Sequence, residues 1–221
     1  MIEILDGTTK NPITKIGNRA GICYGANVEN QESNYNRGLD CLKSNHGRTL
    51  EVVDVEIIIS GYSARVIREW YTHIGGDPTR LQSSTRYINY ENFDYYIPES
   101  IKNCPEALRD YKYVMHQISG LLKELDELGI PKEDSANALP MGYITKMYDK
   151  RNLRNLIDMS HQRLCTRAYK EYRDLMSELM TALSNYSDEW KYIVENYFKP
   201  KCFVTGYCSE KKSCGKKPRL S

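Results

Sequence analysis

Apolar and polar residues alternate along the segment 51–59. Its β-branched residues occupy every second position: Val53, Val55, Ile57 and Ile59. Because successive side chains of an extended strand point to opposite faces, this period predicts a β-strand with one buried face. Ser63 follows the segment, and a serine hydroxyl is suited to cap the amphipathic helical turn that the next residues predict.

A different spacing begins after Pro105 and predicts the clearest helix of the chain. Its apolar residues recur at three- and four-residue steps: Leu108, Tyr111, Met115, Ile118, Leu122 and Leu125. Gly129 and Pro131 are typical helix terminators, so we expect the helix to end there. His116 lies off the apolar stripe, which predicts that it faces solvent.

Helical spacing also predicts a second long helical region over about 151–185 and a shorter helix over 188–197, before Pro200. The apolar positions of the long region predict its core: Leu156, Met159, Leu164, Ala168, Leu175, Leu179 and Leu183. Helices segregated from strand segments, without internal repeats, predict a single α+β domain.

The composition adds few constraints. A chain of 221 residues is long enough for one domain with a real core. Its net charge of +2 creates no field that would recruit nucleic acid or a membrane, so neither is expected as a partner. The N-terminus lacks secretory features, and no apolar run approaches the roughly 20 residues of a membrane span. Seven cysteines without a secretory signal favour a reducing cytoplasm.

The character of the chain changes after Pro200, which predicts a main domain over 1–200 and a basic, cysteine-containing tail over 201–221. Cys202, Cys208 and Cys214 could bind zinc, but structural zinc sites usually use a closer cysteine pair and need a fourth ligand. We therefore predict no metal site. We also predict an exposed tail whose cysteines either pack against other residues or have no role.

The segment 63–87 carries the most suggestive chemistry. A helical turn breaks at Gly75-Gly76-Asp77-Pro78, and arginine, amide and hydroxyl side chains follow within seven positions. A Gly-Gly break can expose backbone N–H groups, and guanidinium and hydroxyl groups add donors. This set suits an anionic, planar ligand such as a nucleotide, although a polar connection with surface arginines has the same composition.

The segment resembles the signature of the flavin-dependent thymidylate synthases. That signature runs Arg-His-Arg, two residues, Ser, one residue, Asn-Glu, one residue, Ser, one residue, Arg-Tyr. Its second half resembles Gln82-Ser83-Ser84-Thr85-Arg86-Tyr87, and its histidine resembles His73. Further matches over about residues 15–200 are His46, Tyr90, Tyr96-Ile97-Pro98, Leu139-Pro140, Asn152-Leu153-Arg154 and Arg163-Leu164-Cys165-Thr166-Arg167-Ala168.

The resemblance implies a central, mostly antiparallel sheet with long helices, and methylation of dUMP to dTMP. Methylenetetrahydrofolate would donate the carbon, reduced FAD would supply the hydride, and NADPH would be a co-substrate. It also implies a homotetramer whose active sites draw residues from several chains.

The resemblance also assigns roles to individual residues. Arg163 corresponds to the arginine that the family uses on the pyrimidine, which makes it the candidate catalytic residue. The residues implied to bind substrate are Glu69, Arg80, Gln82, Ser83, Ser84, Thr85, Arg86 and Arg163. The residues implied to bind FAD are His46, Thr72, His73, Ile74, Asn152 and Asp158.

Several departures from the family pattern bear on substrate and efficiency. Thr72-His73-Ile74 replaces Arg-His-Arg, with Gly75-Gly76 as an apparent insertion, so two flavin-phosphate cations are missing and Arg80 is the obvious substitute. Gln82 replaces the family glutamate, Ala136 an arginine, and Asp158 an asparagine. Two alternatives therefore stay open: (hydroxy)methylation of another pyrimidine nucleotide, and a non-catalytic nucleotide-binding protein.

Overall fold

The computed structural model describes residues 1–220, that is, the whole chain except Ser221. Within these residues, the strands form one four-stranded sheet in the order β1-β2-β4-β3. The strands are β1 (Ile2–Ile4), β2 (Asp54–Ser63), β3 (Thr79–Gln82) and β4 (Ile144–Asn152). The sheet is antiparallel and accompanied by eleven helices in the described part of the chain, which confirms the predicted α+β class.

Four helices lie before β3: α1 (Pro12–Cys23), α2 (Gln31–Lys43), α3 (Gly47–Leu50) and α4 (Ala64–Trp70). Three lie between β3 and β4: α5 (Glu99–Lys102), α6 (Pro105–Glu127) and α7 (Lys132–Ser135). The remaining four are α8 (Leu153–Arg163), α9 (Lys170–Tyr186), α10 (Asp188–Tyr197) and α11 (Lys201–Thr205).

The chain divides into two compact units. The first consists of Met1, Ile59–Thr72 and Leu81–Met147, and the second of Ile2–Ile58, His73–Arg80 and the chain from Tyr148 onward. The core of the first unit includes the fully buried Ile59, Val66, Ile67, Trp70 and Met147. The core of the second includes the fully buried Val55, Ile57, Leu175, Leu179, Leu183 and Trp190.

The local predictions around β2 and α6 are confirmed. The β-branched residues of the alternating segment are fully buried, as a strand with one core face requires. Ser63 caps α4 by accepting a hydrogen bond from the Val66 N–H at 3.2 Å. The helix after Pro105 ends at Glu127, Gly129 adopts a φ of +74°, and His116 is exposed.

The predicted continuous helical region over 151–185 is wrong in two places. Residues 151 and 152 belong to β4, and residues 164–169 separate α8 from α9. The helix begins only after Asn152, whose side chain caps it by accepting the Asn155 N–H at 2.9 Å. Leu164 follows the last helical residue and is only partly buried, whereas the other predicted core residues of this region are buried.

Helices α1 and α2 pack closely through two glycines. A Cβ atom on Gly17 would lie 1.8 Å from the Asn34 carbonyl oxygen, and one on Gly38 would lie 1.9 Å from the Ile13 carbonyl oxygen. Because only glycine permits such an approach, larger residues here would push the helices apart.

The residues after Pro200 are part of the second unit. The Cys208 N–H donates to the Pro218 carbonyl at 2.7 Å, the Leu220 N–H donates to the Cys208 carbonyl at 3.1 Å, and Cys208 is buried. Glu210 lies 3.5 Å from Arg167 in an ion pair. Cys202 is partly buried and Cys214 is exposed. The domain boundary at residue 200 stays a prediction.

Candidate active site

Arg163, at the end of α8, forms the centre of a cluster in the second unit. Its Nε donates a hydrogen bond to Nε2 of His73 at 2.8 Å, across 90 residues of sequence. The guanidinium carbon lies 4.6 Å from the centroid of the Tyr172 ring, at cation–π distance. The His73 ring meets the same tyrosine edge-on, with centroids 6.4 Å apart. The candidate pyrimidine arginine is therefore held by an imidazole and an aromatic face.

The surroundings of His73 favour its neutral form. Burial, followed by the positive charges of Arg163 and Arg151, lowers the pKa of His73 from 6.5 to about 4. At neutral pH the imidazole is uncharged, and the bond from Arg163 requires Nε2 to be its unprotonated nitrogen. Burial also raises the pKa of the Tyr172 hydroxyl, so this residue is neutral as well.

A buried ion pair lies near this cluster. Nε of Arg151 lies 2.5 Å from one carboxylate oxygen of Asp149, and Nη2 lies 2.6 Å from the other. Both side chains are fully buried. Arg151 also donates to Oδ1 of Asn155 at 2.6 Å, which connects β4 to the first turn of α8. Asp149 holds Arg151 bidentately within β4, and the bond from Arg151 to Asn155 fixes the β4–α8 junction.

The Gly-Gly break lines a cavity of about 280 Å³ in the second unit. The cavity residues are Glu51, Gly75, Gly76, Asn152, Arg154, Asn155 and Asp158. Gly76 has a φ of +73°, and a Cβ there would lie 2.0 Å from Nδ2 of Asn152. Among residues 1–220, no group accepts a hydrogen bond from the backbone N–H of Gly75 or Gly76. These two donors therefore have no protein acceptor in the described residues.

A neighbouring cavity of about 310 Å³ shares Arg154 and Asp158 with the first and is also lined by Asn45, Gly47, Arg48, Leu50, Ile157 and His161. His46 lies between two of its lining residues, is exposed, and has Nδ1 3.4 Å from the Ser44 hydroxyl. Arg154 was missed as a site residue, although the matching Asn-Leu-Arg box contains it. It donates to Glu51 at 2.7 Å.

The loop 82–87 belongs to the first unit and is held mainly through its backbone. The Ser83 N–H donates to the Lys146 carbonyl at 2.8 Å, and Ser84 Oγ accepts the Arg86 N–H at 3.2 Å. Gln82 Nε2 donates to the Thr145 hydroxyl at 3.4 Å. Within the described residues, the N–H groups of Ser84 and Thr85 have no acceptor. Two consecutive open N–H groups are suited to an anion.

The side chains of this loop are exposed or face a small cavity. Arg86 donates from Nε to Glu133 at 2.8 Å, and both side chains are more than half exposed. Thr85 lines a cavity of about 20 Å³ together with Ala136, where the family has an arginine. Lys132 lines the same cavity, so a cation does reach this place, from a position that the motif comparison missed.

The remaining site predictions are distributed over both units. Glu69, on α4, is partly buried, and the Thr72 hydroxyl donates to its carbonyl at 2.7 Å. Ile74 is exposed, and Arg80 lies on β3, partly buried. The first unit thus carries Glu69, Thr72, Gln82, Ser83, Ser84, Thr85 and Arg86, and the second carries His46, His73, Ile74, Arg80, Asn152, Asp158 and Arg163.

Residues 1–220 also bear on metal, disulfide and membrane-spanning sites. These residues contain no group of three or more histidine, cysteine, aspartate or glutamate side chains arranged to bind a metal ion. All seven cysteines are free thiols. None of the helices in this part of the chain combines the length and apolar character that crossing a bilayer requires.

Several known proteins are similar to this chain. The profile of the family described as "Thymidylate synthase complementing protein" matches residues 4–186. A flavin-dependent thymidylate synthase of Pyrococcus furiosus is 34% identical over 134 residues, which are 59% of this chain and 55% of that protein. The chain thus spans little more than half the length of this relative. One from Clostridium tetani is 28% identical over 237 aligned positions, covering 94% of this chain and 90% of that protein.

A solved structure supports the fold. Thymidylate synthase X from Helicobacter pylori, crystallised with FAD and dUMP, superposes with a TM-score of 0.69 at 20% identity, covering 90% of this chain and 99% of that one. The predicted fold and the motif resemblance are therefore confirmed, and the chain belongs to the thymidylate synthase complementing protein family, whose relatives are named flavin-dependent thymidylate synthases.

Proposed function

We propose that the chain methylates dUMP to dTMP reductively, with methylenetetrahydrofolate as carbon donor, reduced FAD as hydride carrier and NADPH as co-substrate. The observation that carries the proposal is the contact between Arg163 and His73, because it joins two separate family motifs in one cluster. The names of the relatives and the FAD and dUMP in the Helicobacter pylori structure support it.

The cavity at the Gly-Gly break carries donors suited to the phosphates of a flavin nucleotide, beside the carboxylates of Glu51 and Asp158. The open N–H donors of Gly75 and Gly76 and the guanidinium of Arg154 supply the donors that phosphate oxygens need, and Asn152 adds an amide. Two of the family's flavin-phosphate arginines are replaced by Thr72 and Ile74, so these donors take their place. When bound, reduced FAD supplies the hydride; the protein supplies the binding groups.

Arg163 would act on the pyrimidine. C5 of uracil must become electron-rich before it can attack a one-carbon unit. The electron density of the activated base is shared between C5, O4 and N3, so negative charge develops on O4 and N3 during activation. A fixed guanidinium stabilises such charge without a proton transfer. Its interaction strengthens as the charge grows, which lowers the barrier rather than only improving binding.

The loop 82–87 would hold the nucleotide through its backbone. The open N–H groups of Ser84 and Thr85, with the guanidinium of Arg86, form a set of donors for phosphate. Ser84 acts as a binding group in this scheme, and its hydroxyl already accepts the Arg86 N–H. Because the family builds its sites from several chains, the loop and Arg163 need not come from the same copy.

The surface of α6 supports the proposed homotetramer. Tyr113, Val114 and Leu121 form an exposed apolar stripe, and Leu128 extends it beyond the helix end. A stripe of this kind is typical of a surface that another chain covers.

The free thiols of all seven cysteines in residues 1–220 fit the reducing cytoplasm that we propose as the compartment.

Gln82 favours a second candidate, a related (hydroxy)methylation of another pyrimidine nucleotide. An amide can donate as well as accept, unlike the family's carboxylate, and this one already donates to Thr145. A residue that hydrogen-bonds to N3 and O4 of uracil could therefore also hydrogen-bond to the corresponding atoms of cytosine.

One experiment separates these functions. Purified protein is titrated with FAD by flavin fluorescence, then mixed with reduced FAD, methylenetetrahydrofolate and either dUMP or dCMP, and the products are weighed by mass spectrometry. We expect saturable FAD binding and a product about 14 mass units heavier than dUMP. This is the net gain of one CH₂ when a methyl group replaces the hydrogen at C5. If product forms from dCMP but not from dUMP, the second candidate, modification of another pyrimidine nucleotide, is established. If the protein does not bind FAD, it is a non-catalytic nucleotide-binding protein.

A further inference from the structure

His73 contacts Arg163, although the motif resemblance assigns this histidine to the flavin. We propose that His73 is a positioning residue for Arg163: its Nε2 accepts the Arg163 Nε–H and fixes the plane of the guanidinium against Tyr172. The inference deepens the proposed function, since it rests on Arg163 as the residue that meets the pyrimidine.

Two restraints of different direction define the orientation of Arg163. The hydrogen bond to His73 lies at the Nε edge and restrains rotation of the guanidinium within its plane. The Tyr172 ring lies against the guanidinium at 4.6 Å and restrains its tilt. A guanidinium has five N–H donors, and the bond to His73 uses one of them. Such a pre-oriented fork loses little freedom when a planar base binds.

A neutral acceptor suits this task better than a carboxylate. A carboxylate at the position of His73 would offset the positive charge on which Arg163 depends, whereas an uncharged imidazole leaves that charge intact. The groups that face His73 are Arg163 from α8, Arg151 from β4 and Tyr172 from α9. The two arginines are cations and disfavour protonation of the imidazole, and the tyrosine is neutral.

The sequence around His73 agrees with this change of role. In the family pattern, two arginines that serve the flavin phosphates flank the histidine, which is assigned to FAD. Here the flanking residues are Thr72, whose hydroxyl donates to the Glu69 carbonyl, and Ile74, which is exposed. With both flanking cations replaced and His73 uncharged, this position presents no positive charge to a phosphate, and the contact of His73 with Arg163 is its principal polar interaction among those observed.

A double-mutant cycle tests the proposal. Four proteins are compared: wild type, His73→Ala, Arg163→Ala and the double variant, with kcat and KM for dUMP and the Kd for FAD measured on each. We expect His73→Ala to lower kcat/KM for dUMP about tenfold in the wild-type background. In the Arg163→Ala background the same substitution should not lower kcat/KM further, because the two residues act as one unit. His73→Gln, which keeps an acceptor at a similar reach, should recover most of the loss.

Binding of FAD supplies the opposing result. If His73 serves Arg163, the Kd for FAD should stay within about twofold in His73→Ala, because the flavin donors are elsewhere. A large loss of FAD affinity in His73→Ala, or additive effects of the two substitutions on kcat/KM, would overturn the proposal. Thermal unfolding of each variant shows whether the fold is retained.

A second readout does not need catalysis. The imidazole of His73 is titrated by NMR in wild type and Arg163→Ala, with exposed His116 as the reference signal. Loss of the neighbouring charge should raise the pKa of His73 from about 4 towards 6.5. If this rise occurs in a protein that makes no dTMP, the proposed reaction fails but the contact stands. If it does not occur in an active enzyme, the positioning role fails.

Discussion

The Arg163 cluster and the loop 82–87 use opposite means to present positive charge. The cluster depends on side chains that are buried or partly buried and that fix one another: an arginine, an imidazole, an aromatic ring and a nearby buried ion pair. The loop depends on backbone N–H groups and on exposed side chains such as Arg86. Substitutions should therefore affect stability and chemistry in the cluster, but mainly ligand affinity in the loop.

The largest difference should appear in stability. Arg151→Met leaves the buried Asp149 without its bidentate partner and should lower the free energy of unfolding by about 3–5 kcal/mol. The matched change Arg86→Met removes an exposed pair with Glu133 and should cost no more than about 1 kcal/mol. Denaturant unfolding measures both. Equal losses in the free energy of unfolding would show that burial does not determine the cost of breaking these two ion pairs.

Catalysis should be most sensitive at Arg163. Arg163→Ala removes a donor that stabilises developing charge, so turnover at saturating dUMP should fall about 10²-fold or more. Single-turnover kinetics with pre-reduced FAD measure this step. FAD should still bind, since the proposed flavin donors belong to the Gly-Gly cavity. If Arg163→Ala instead loses FAD binding but turns over normally in excess FAD, Arg163 serves the flavin and not the pyrimidine.

The loop should respond in affinity alone. Arg86→Lys keeps the charge but loses the planar fork, so nucleotide binding should weaken by about 1–3 kcal/mol while kcat at saturation and unfolding change little. Calorimetric titration with dUMP measures the loss. An unchanged Kd would make Arg86 a structural residue that serves only its pair with Glu133.

Acid should destabilise the cluster through His73. Its pKa is about 4 in the folded protein against 6.5 ordinarily, so between these values the unfolded chain binds more protons. The stabilisation is complete above about pH 6.5 and declines as the pH falls towards 4, by about 1–2 kcal/mol after allowance for partial exposure. His73→Gln should lack this part of the decline when unfolding is compared at pH 7 and 4.5.

The smallest effect concerns the Gly-Gly break. Gly76→Ala and Gly25→Ala both place alanine at positive φ, which costs about 1 kcal/mol each. Only at Gly76 does the added Cβ meet a side chain, the amide of Asn152, whereas the space around Gly25 is open. FAD binding should therefore weaken in Gly76→Ala and stay unchanged in Gly25→Ala.

The sequence predicted those elements whose periodicity is clear. The strand with alternating β-branched residues, the helix after Pro105 and the helix over 188–197 all occur. Strand β4 was missed because it carries Lys, Asp and Arg; its buried charges, Asp149 and Arg151, pair with each other, which a pattern of apolar positions does not reveal. The Gly17–Gly38 approach between α1 and α2 likewise depends on tertiary packing.

The candidate site was predictable as a set of residues but not as a set of contacts. Motif resemblance selected both His73 and Arg163, yet assigned them to different ligands. The hydrogen bond between them spans 90 residues and exists only once α8 and the segment before the Gly-Gly break are folded together in the second unit. Arg154 was overlooked because the cavity that it lines forms only in the folded chain.

The open N–H groups of Ser84 and Thr85 have a consequence for how this loop can evolve. A donor that belongs to the main chain is present whatever side chain the residue carries, so recognition of an anion survives most substitutions. Proline is the exception, because it has no N–H to give. The loop can therefore change in sequence, as the replacement of the family glutamate by Gln82 illustrates, while the backbone donors that we propose for an anion are retained.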